Sequence, residues 1–195
     1  SLVGSEMCIR DSNWPAMKQV GIARGPYHMF DLLGSGSNQA EIFLNQIQSN
    51  GGYESGDMPP MLDIEWTTDP PQGNGGPAFP SGSAWQDEAT AWLDAVEKAL
   101  GCRPIIYADQ SMVENNFSQR FAKYPIWVAA YRLPAITSPT PNPPNPPQLN
   151  GGPWKQWTIW QYSESGDVSG IGSGIDLDVL RGSPASFARQ LRSLR

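Results

Sequence analysis

The sequence predicts an α/β fold, a parallel sheet covered by helices, on three observations. From residue 13 onward, short apolar runs of strand length alternate with segments whose apolar residues recur at helical spacing. Six such strand runs are visible, and strands that alternate with helices build parallel sheets whose faces those helices cover. At 195 residues and 39% apolar content the chain suffices for one sizeable core, read as a single domain, and its 20 glycines and 19 prolines supply many tight or extended loops.

The first element is a helix over "SNWPAMKQVG" (12–21), with Ser12 or Asn13 as cap, Pro15 in the first turn and Gly21 as the stop. "IARGPYHMF" (22–30) follows as a strand. In "SNQAEIFLNQIQSNGG" Asn38 and Glu41 read as a capping box, with Ala40, Phe43, Leu44 and Ile47 on one face and Gly51-Gly52 at the end. "PMLDIEW" (60–66) is the next strand, and 67–82 a loop. The clearest helix is "SAWQDEATAWLDAVEKALG" (83–101), with a Ser83/Gln86 capping box, an apolar stripe of Trp85, Ala89, Trp92, Leu93, Val96 and Leu100, and Gly101 as terminator.

"RPIIYA" (103–108) reads as a strand, "QSMVENNFSQRFAK" (110–123) as a weaker helix, and "PIWVAAY" (125–131) as a strand. "LPAITSPTPNPPNPPQLNGGP" (133–153) can form neither ladder nor helix and is expected as an extended surface excursion. "WTIWQY" (157–162) and "GIDLDVL" (174–180) are the last strands. "SPASFARQLRSLR" (183–195) closes the chain as a helix with Pro184 in its first turn.

A net charge of −6, a pI near 4.7 and no Lys/Arg-rich run argue against nucleic acid as a partner, because phosphate binding needs a basic footprint. No apolar stretch approaches membrane-spanning length. The opening "SLVGSEMCIRDS" (1–12) lacks signal-peptide order and any usable period, and is expected to be a foreign junction or mistranslated edge, with the natural chain extending upstream. Cys8 falls in that segment, so Cys102 is expected as a lone buried thiol rather than half of a disulfide.

Chemistry points first to Asp63 and Glu65 in "MLDIEW". On a strand they share one face while Leu62 and Ile64 share the other. Neighbouring carboxylates cannot both ionise freely, so one is pushed toward its protonated form. A proton donor beside an anion is what cleavage of a glycosidic bond requires; a solvated strand end or an ion pair with Lys or Arg is the plain alternative. Trp66, Tyr27, Tyr107, Trp127, Tyr131, Trp160 and Tyr162 all fall at or near strand ends. Such rings suit stacking on sugars, although any one of them could serve only as core. Asp176 and Asp178 repeat the i, i+2 acid pattern. His28, the sole histidine, reads as a hydrogen-bonded structural residue, and without a Gly-x-Ser-x-Gly a Ser-His-Asp hydrolase is not expected. "GSGSN" (34–38) lacks the lysine of a phosphate loop and reads as a flexible lead-in.

Together, "GIARGPYHMF", "PPMLDIEW", "RPIIYAD", "YPIWVAAY" and "WTIWQYSESGDVSGIGSGIDLDV" resemble, in order, glycoside hydrolase family 25, the muramidases of the Chalaropsis lysozyme type, over about residues 13–180. The resemblance implies a flattened, TIM-like β/α barrel acting on the β-1,4 bond between N-acetylmuramic acid and N-acetylglucosamine of peptidoglycan. It implies no metal and no organic cofactor. The family's Asp-x-Glu falls on Asp63 and Glu65, with Glu65 as general acid and Asp63 stabilising charge that develops on the substrate's own N-acetyl group. The acid of the family's last strand matches Asp176, and Tyr27, Tyr107, Tyr131, Trp160, Gln161 and Trp66 are the implied groove residues.

The family begins with a strand carrying a site aspartate, then a helix and a second strand. Here about the first two strands are expected to be lacking, on the order of 50 residues at ~30 per strand–helix–strand unit. The partners expected are a glycan strand of peptidoglycan, with no nucleic acid and no membrane, for a monomer that is secreted or wall-associated or delivered by a phage lysis system. Because an acidic surface exerts no pull on an anionic wall, attachment through other modules is expected. The rival readings are a non-catalytic peptidoglycan-binding module derived from such a barrel and a metal-dependent phosphodiesterase.

Overall fold

The computed structural model describes residues 13–65, 83–183 and 185–187 of this mixed α/β chain. It divides into two compact units, one running to Ile105 and the other starting at Ile106.

The first unit holds α1 (Asn13–Gln19), β1 (Tyr27–Met29), α2 (Gly36–Ser49), β2 (Met61–Asp63) and α3 (Ala84–Leu100). β1 and β2 are parallel, pairing Tyr27 with Met61, His28 with Leu62 and Met29 with Asp63. Side-chain alternation therefore sets Tyr27 and Asp63 on one face and His28 and Leu62 on the other. The second face meets the helices: Phe43 and Ile47 of α2 and Trp85, Ala89, Trp92, Leu93 and Val96 of α3 are all buried. The expected stripes are thus the buried ones, with Leu44 and Leu100 at their half-buried margins.

Three local expectations are corrected. The strand foreseen over 22–30 is only Tyr27–Met29. Gly21 (φ +73) closes α1 by donating to Lys18 O while Ile22 N reaches back to Met17 O, so Ile22 belongs to the helix stop. The cap of α2 is Ser35, whose hydroxyl accepts from Asn38 N, and Asn38 itself lies inside the helix. The helix starts early because Gly36 lies against α3, where a Cβ would come 1.8 Å from Glu88 O. At α3 the Ser83/Gln86 box does not form. Ser83 is helical and makes no side-chain cap bond, its carbonyl instead receiving Gln86 N and Asp87 N, whereas Gly101 terminates the helix at φ +62 as expected.

Two polar clusters brace this unit, the first of them buried. Arg24 makes a two-pronged ion pair with Asp57, both bonds 2.8 Å, with its guanidinium 4.2 Å from the centre of the Trp14 ring. Gln39 Oε1 accepts from Asp31 N and contacts His28 Nε2 at 2.9 Å, while Gln39 Nε2 donates to Asp31 O. Those backbone partners fix the amide's orientation, so His28 carries its proton on Nε2. The His28 ring stacks on Trp92 at 5.7 Å, and burial lowers its pKa, the Gln39 bond opposing. His28 is thereby a neutral structural residue, as its sequence setting suggests.

Ile105, where the first unit ends, bonds through its N–H to Pro60 O at the foot of β2. It also opens β3 (Ile105–Asp109), followed in the second unit by α4 (Gln110–Asn115), a 3-10 turn at Gln119–Phe121, β4 (Ile126–Ala129), β5 (Ile159–Val168) and β6 (Gly172–Leu180). β3 pairs parallel with β4, and β4 with β5. The all-parallel expectation fails at β5–β6, an antiparallel hairpin running from Ile159–Leu180 to Val168–Gly172. The polar, Gly-rich "SESGDVSGIGS" concealed that pairing, because Gly170 (φ +82) makes the turn and little apolar alternation remains.

The single helix expected over 110–123 is instead α4, capped by the Asp109 carboxylate on Met112 N, then a break and the 3-10 turn. The proline-rich stretch lacks regular structure, as foreseen, yet it is not simply a surface excursion. Pro143, Pro147 and Leu149 are buried, Asp167 N bonds Thr137 O, and Asn150 N bonds the Glu114 carboxylate. Cys102 is a free, buried thiol. The segment 1–12, Trp66, the loop 67–82, Pro184 and the closing helix from residue 188 lie outside the described residues.

Candidate active site

β2 ends its ladder at Asp63, and Ile64 then turns fully into the core. The strand foreseen through Trp66 is therefore shorter, yet the alternation that places residues 63 and 65 together holds. The carboxyl groups of Asp63 and Glu65 share a hydrogen bond. Asp63 is 8% exposed, whereas Glu65 is half-buried. Burial first, then the negative charge of Glu65 and the hydrogen bond with it, push the Asp63 pKa up from 3.8 to about 8. Asp63 Oδ1 is buried with no hydrogen-bond partner among the described residues. An ionised carboxylate with an unsatisfied buried oxygen is costly, and the neutral form avoids most of that penalty. At neutral pH the pair holds one proton, and Glu65 is its more accessible member. Tyr27 lies half-buried on the Asp63 face of the β1–β2 pair.

The second unit gathers a polar-aromatic cluster on one face of its strands. Register places Tyr107 opposite Trp127 and Gln161 opposite both Ala129 and Asp178. Gln161, nearly buried, accepts through Oε1 from the hydroxyls of Tyr107 and Tyr131. Tyr107 meets Trp127 edge-on with centroids 5.2 Å apart, and Trp127 Nε1 donates to Asp178 at 2.8 Å. Asp178 is exposed as a residue, but desolvation of its carboxyl raises its pKa to about 6, with the Trp127 bond pulling down and the charge of Asp176 adding to the rise. Tyr131 is 44% exposed. The arrangement presents ring faces beside hydroxyl, amide and carboxyl groups, which is chemistry suited to a sugar ring.

Not every foreseen residue joins these clusters. Trp160 is a correction: it is 1% exposed, its Nε1 donates to Ala130 O, and its ring packs against Trp157 and Tyr162. The period of two explains this, since Trp160 and Gln161 must take opposite faces and Gln161 takes the one that carries Tyr107 and Asp178. Asp176 is exposed on the same face of β6 as Asp178, and it is Asp178 that is tied into the aromatic cluster. The i, i+2 acid spacing signalled both without ranking them. Trp66 lies outside the described residues. Among the described residues no group of three His, Cys, Asp or Glu side chains converges as a metal site.

The sequence itself matches a known family. Residues 9–171 match the glycosyl hydrolases family 25. The chain is 31% identical over 170 residues to the uncharacterized protein YegX of Escherichia coli K12, which covers 87% of this chain and 52% of that protein. It is also 31% identical over 189 residues to lysozyme M1 of Streptomyces globisporus, covering 89% of this chain and 55% of that one. The chain thus spans about half the length of the curated relatives it matches. Among solved structures, a family 25 lysozyme from Aspergillus fumigatus superposes with a TM-score of 0.69 at 25% identity, covering 93% of this chain and 78% of that one. With a family match over most of its length, this chain belongs to glycosyl hydrolase family 25.

Proposed function

We propose that the protein is a peptidoglycan hydrolase, a muramidase cleaving the β-1,4 bond between N-acetylmuramic acid and N-acetylglucosamine. The observation that carries this is the Asp63–Glu65 pair, a buried carboxyl beside a more accessible one at the end of β2. In this reading β1 to β5 belong to a flattened β/α barrel, whose chemistry gathers at the carboxyl ends of its strands.

Glu65, the more accessible member, takes the pair's proton from Asp63 across their hydrogen bond and delivers it to the leaving glycosidic oxygen. Loss of that proton leaves two adjacent negative charges, which the pair resists when empty. The positive charge developing on the sugar, stabilised through the substrate's own N-acetyl group, offsets that repulsion. The pair is therefore better matched to the transition state than to the empty site. Asp63 holds and orients the proton before the step and supplies negative charge after it. Tyr27, Tyr107, Tyr131 and Gln161 are proposed to contact the glycan, and Asp176 to add negative potential at its strand end. The proposed place of action is outside the cell, at the wall.

Release of reducing ends from purified cell walls, measured for the protein and for Glu65→Gln, tests the reading. Release that falls at least a hundredfold in the variant supports it. Equal release by both proteins removes Glu65 from its role. Wall binding without any release by either protein replaces the reading with that of a binding module.

A further inference from the structure

The second unit carries an open cleft of about 1050 Å³ beneath the proline-rich loop, and its lining includes Arg132, Lys155 and Arg181. That is an unusual concentration on a chain with a net charge of −6 and 13 Lys and Arg residues in all. No carboxylate is among the lining residues. Lys18, Arg24 and Arg103 each have an acid partner, whereas Arg132, Lys155 and Arg181 have none among the described residues.

Both arginines are held in place. Arg132 donates through Nε to Asn145 O at 2.8 Å and sits 5.7 Å over the Trp160 ring. Arg181 sits 5.8 Å over the Trp157 ring, and the two indoles are 6.0 Å apart. Stacking on an indole positions a guanidinium without consuming its N–H donors. Glu114, an acid beside the loop, is engaged by Gln110 Nε2 and Asn150 N, which fastens the loop over the cleft. Gly152 (φ +67) allows that closeness, since a Cβ there would come 2.0 Å from Val113 O.

We propose that this cleft binds an oxyanion-bearing segment of the wall polymer, carboxylate or phosphate, through Arg132, Lys155 and Arg181. The proposal rests on the wall as target and adds a second point of attachment to it. Positioned guanidiniums pair with such groups through two parallel N–H bonds. A local basic cleft also answers how an acidic protein is drawn to an anionic surface, which its net charge alone would repel.

Co-sedimentation of the protein with purified cell walls, at low and high salt, tests this in the Glu65→Gln background so that no turnover is needed. Replacing Arg132 and Arg181 with Gln, or exposed Lys155 with Glu, is expected to weaken binding about tenfold and flatten its salt dependence. Thermal unfolding checks that each variant is folded. The single Lys155→Glu change serves if the arginine variants are not. Walls stripped of phosphate polymers and walls stripped of peptide arms separate the two sources: loss of binding to the first assigns phosphate, and loss to the second assigns carboxylate. Unchanged binding to both stripped walls, or folded variants that bind like the parent, overturns the proposal. Salt-dependent binding together with no reducing-end release by the parent protein, Glu65 intact, would leave the cleft standing and the catalytic reading fallen.

Discussion

Asp63 and Glu65 share a hydrogen bond at the end of β2, and the other Asp63 oxygen, Oδ1, is buried without a partner among the described residues. The folded protein therefore keeps on Asp63 a proton that the unfolded chain releases near its ordinary pKa of 3.8. Between about pH 4 and pH 8 the native state binds this extra proton, so the Asp63 contribution to stability falls as pH rises through this window and levels off above it. Replacing Asp63 with Asn should abolish this contribution and leave the protein more stable than the parent at alkaline pH, by a few kcal/mol at most at about 1.4 kcal/mol per pKa unit, seen as a higher Tm. Parallel Tm-against-pH curves for the two proteins would exclude it. A decline below pH 6.5 should remain in both, because burial depresses the His28 pKa and protonation then favours the unfolded chain.

The same proton predicts an alkaline limit to activity. Burial and the Glu65 charge hold the Asp63 pKa at about 8. If the pair must enter the reaction with one proton, the rate should fall about tenfold per pH unit above that value. A rate profile flat to pH 10 would show that the pair's proton is not the one transferred.

Gly36 fills the contact between α2 and α3, where an added Cβ would come 1.8 Å from Glu88 O. Backbone cannot yield as a flexible side chain can. Gly36→Ala should destabilise the protein by about 2–3 kcal/mol through overpacking, read as a drop in denaturant midpoint. Parent-like stability would mean that the helices part without cost.

Arg24 and Asp57 form a buried pair, 4% and 8% exposed. Removing one partner strands a charge, so Arg24→Met or Asp57→Asn should each cost about 3–5 kcal/mol. The Arg24→Met/Asp57→Leu double variant should recover part of that loss in the same unfolding assay. Additive losses would place the stabilisation in packing, including the Trp14 contact, rather than in the charges.

Tyr131 projects 44% of its surface to solvent while its hydroxyl reaches Gln161. Tyr131→Ala should raise KM for wall fragments several-fold, leave kcat nearly unchanged and shift stability by about 0.5 kcal/mol or less. A change confined to kcat would assign Tyr131 to the chemical step instead of to sugar binding.

How far spacing carries is clearest in α3. The helical period of Trp85, Ala89, Trp92, Leu93 and Val96 marks the face that is buried, and Gly101 ends the helix in the left-handed conformation that only glycine adopts freely. Local rules were less reliable at caps. Ser35 displaced Asn38 because the α2–α3 contact selected Gly36 as the first helical residue. On β5 a period of two separated Trp160 from Gln161 without revealing which faced the core.

By itself the sequence determined the order of helices and strands, the i, i+2 placement of Asp63 and Glu65, and the motif order of family 25, because these follow from bond geometry and short-range periodicity. Only the tertiary structure decided the antiparallel β5–β6 pairing, the burial of Trp160, the linking of Tyr107, Tyr131 and Asp178 around one strand face, and the proton on Asp63. Each of those depends on which distant segment excludes water from a given side chain, and desolvation by a remote neighbour leaves no mark in local spacing.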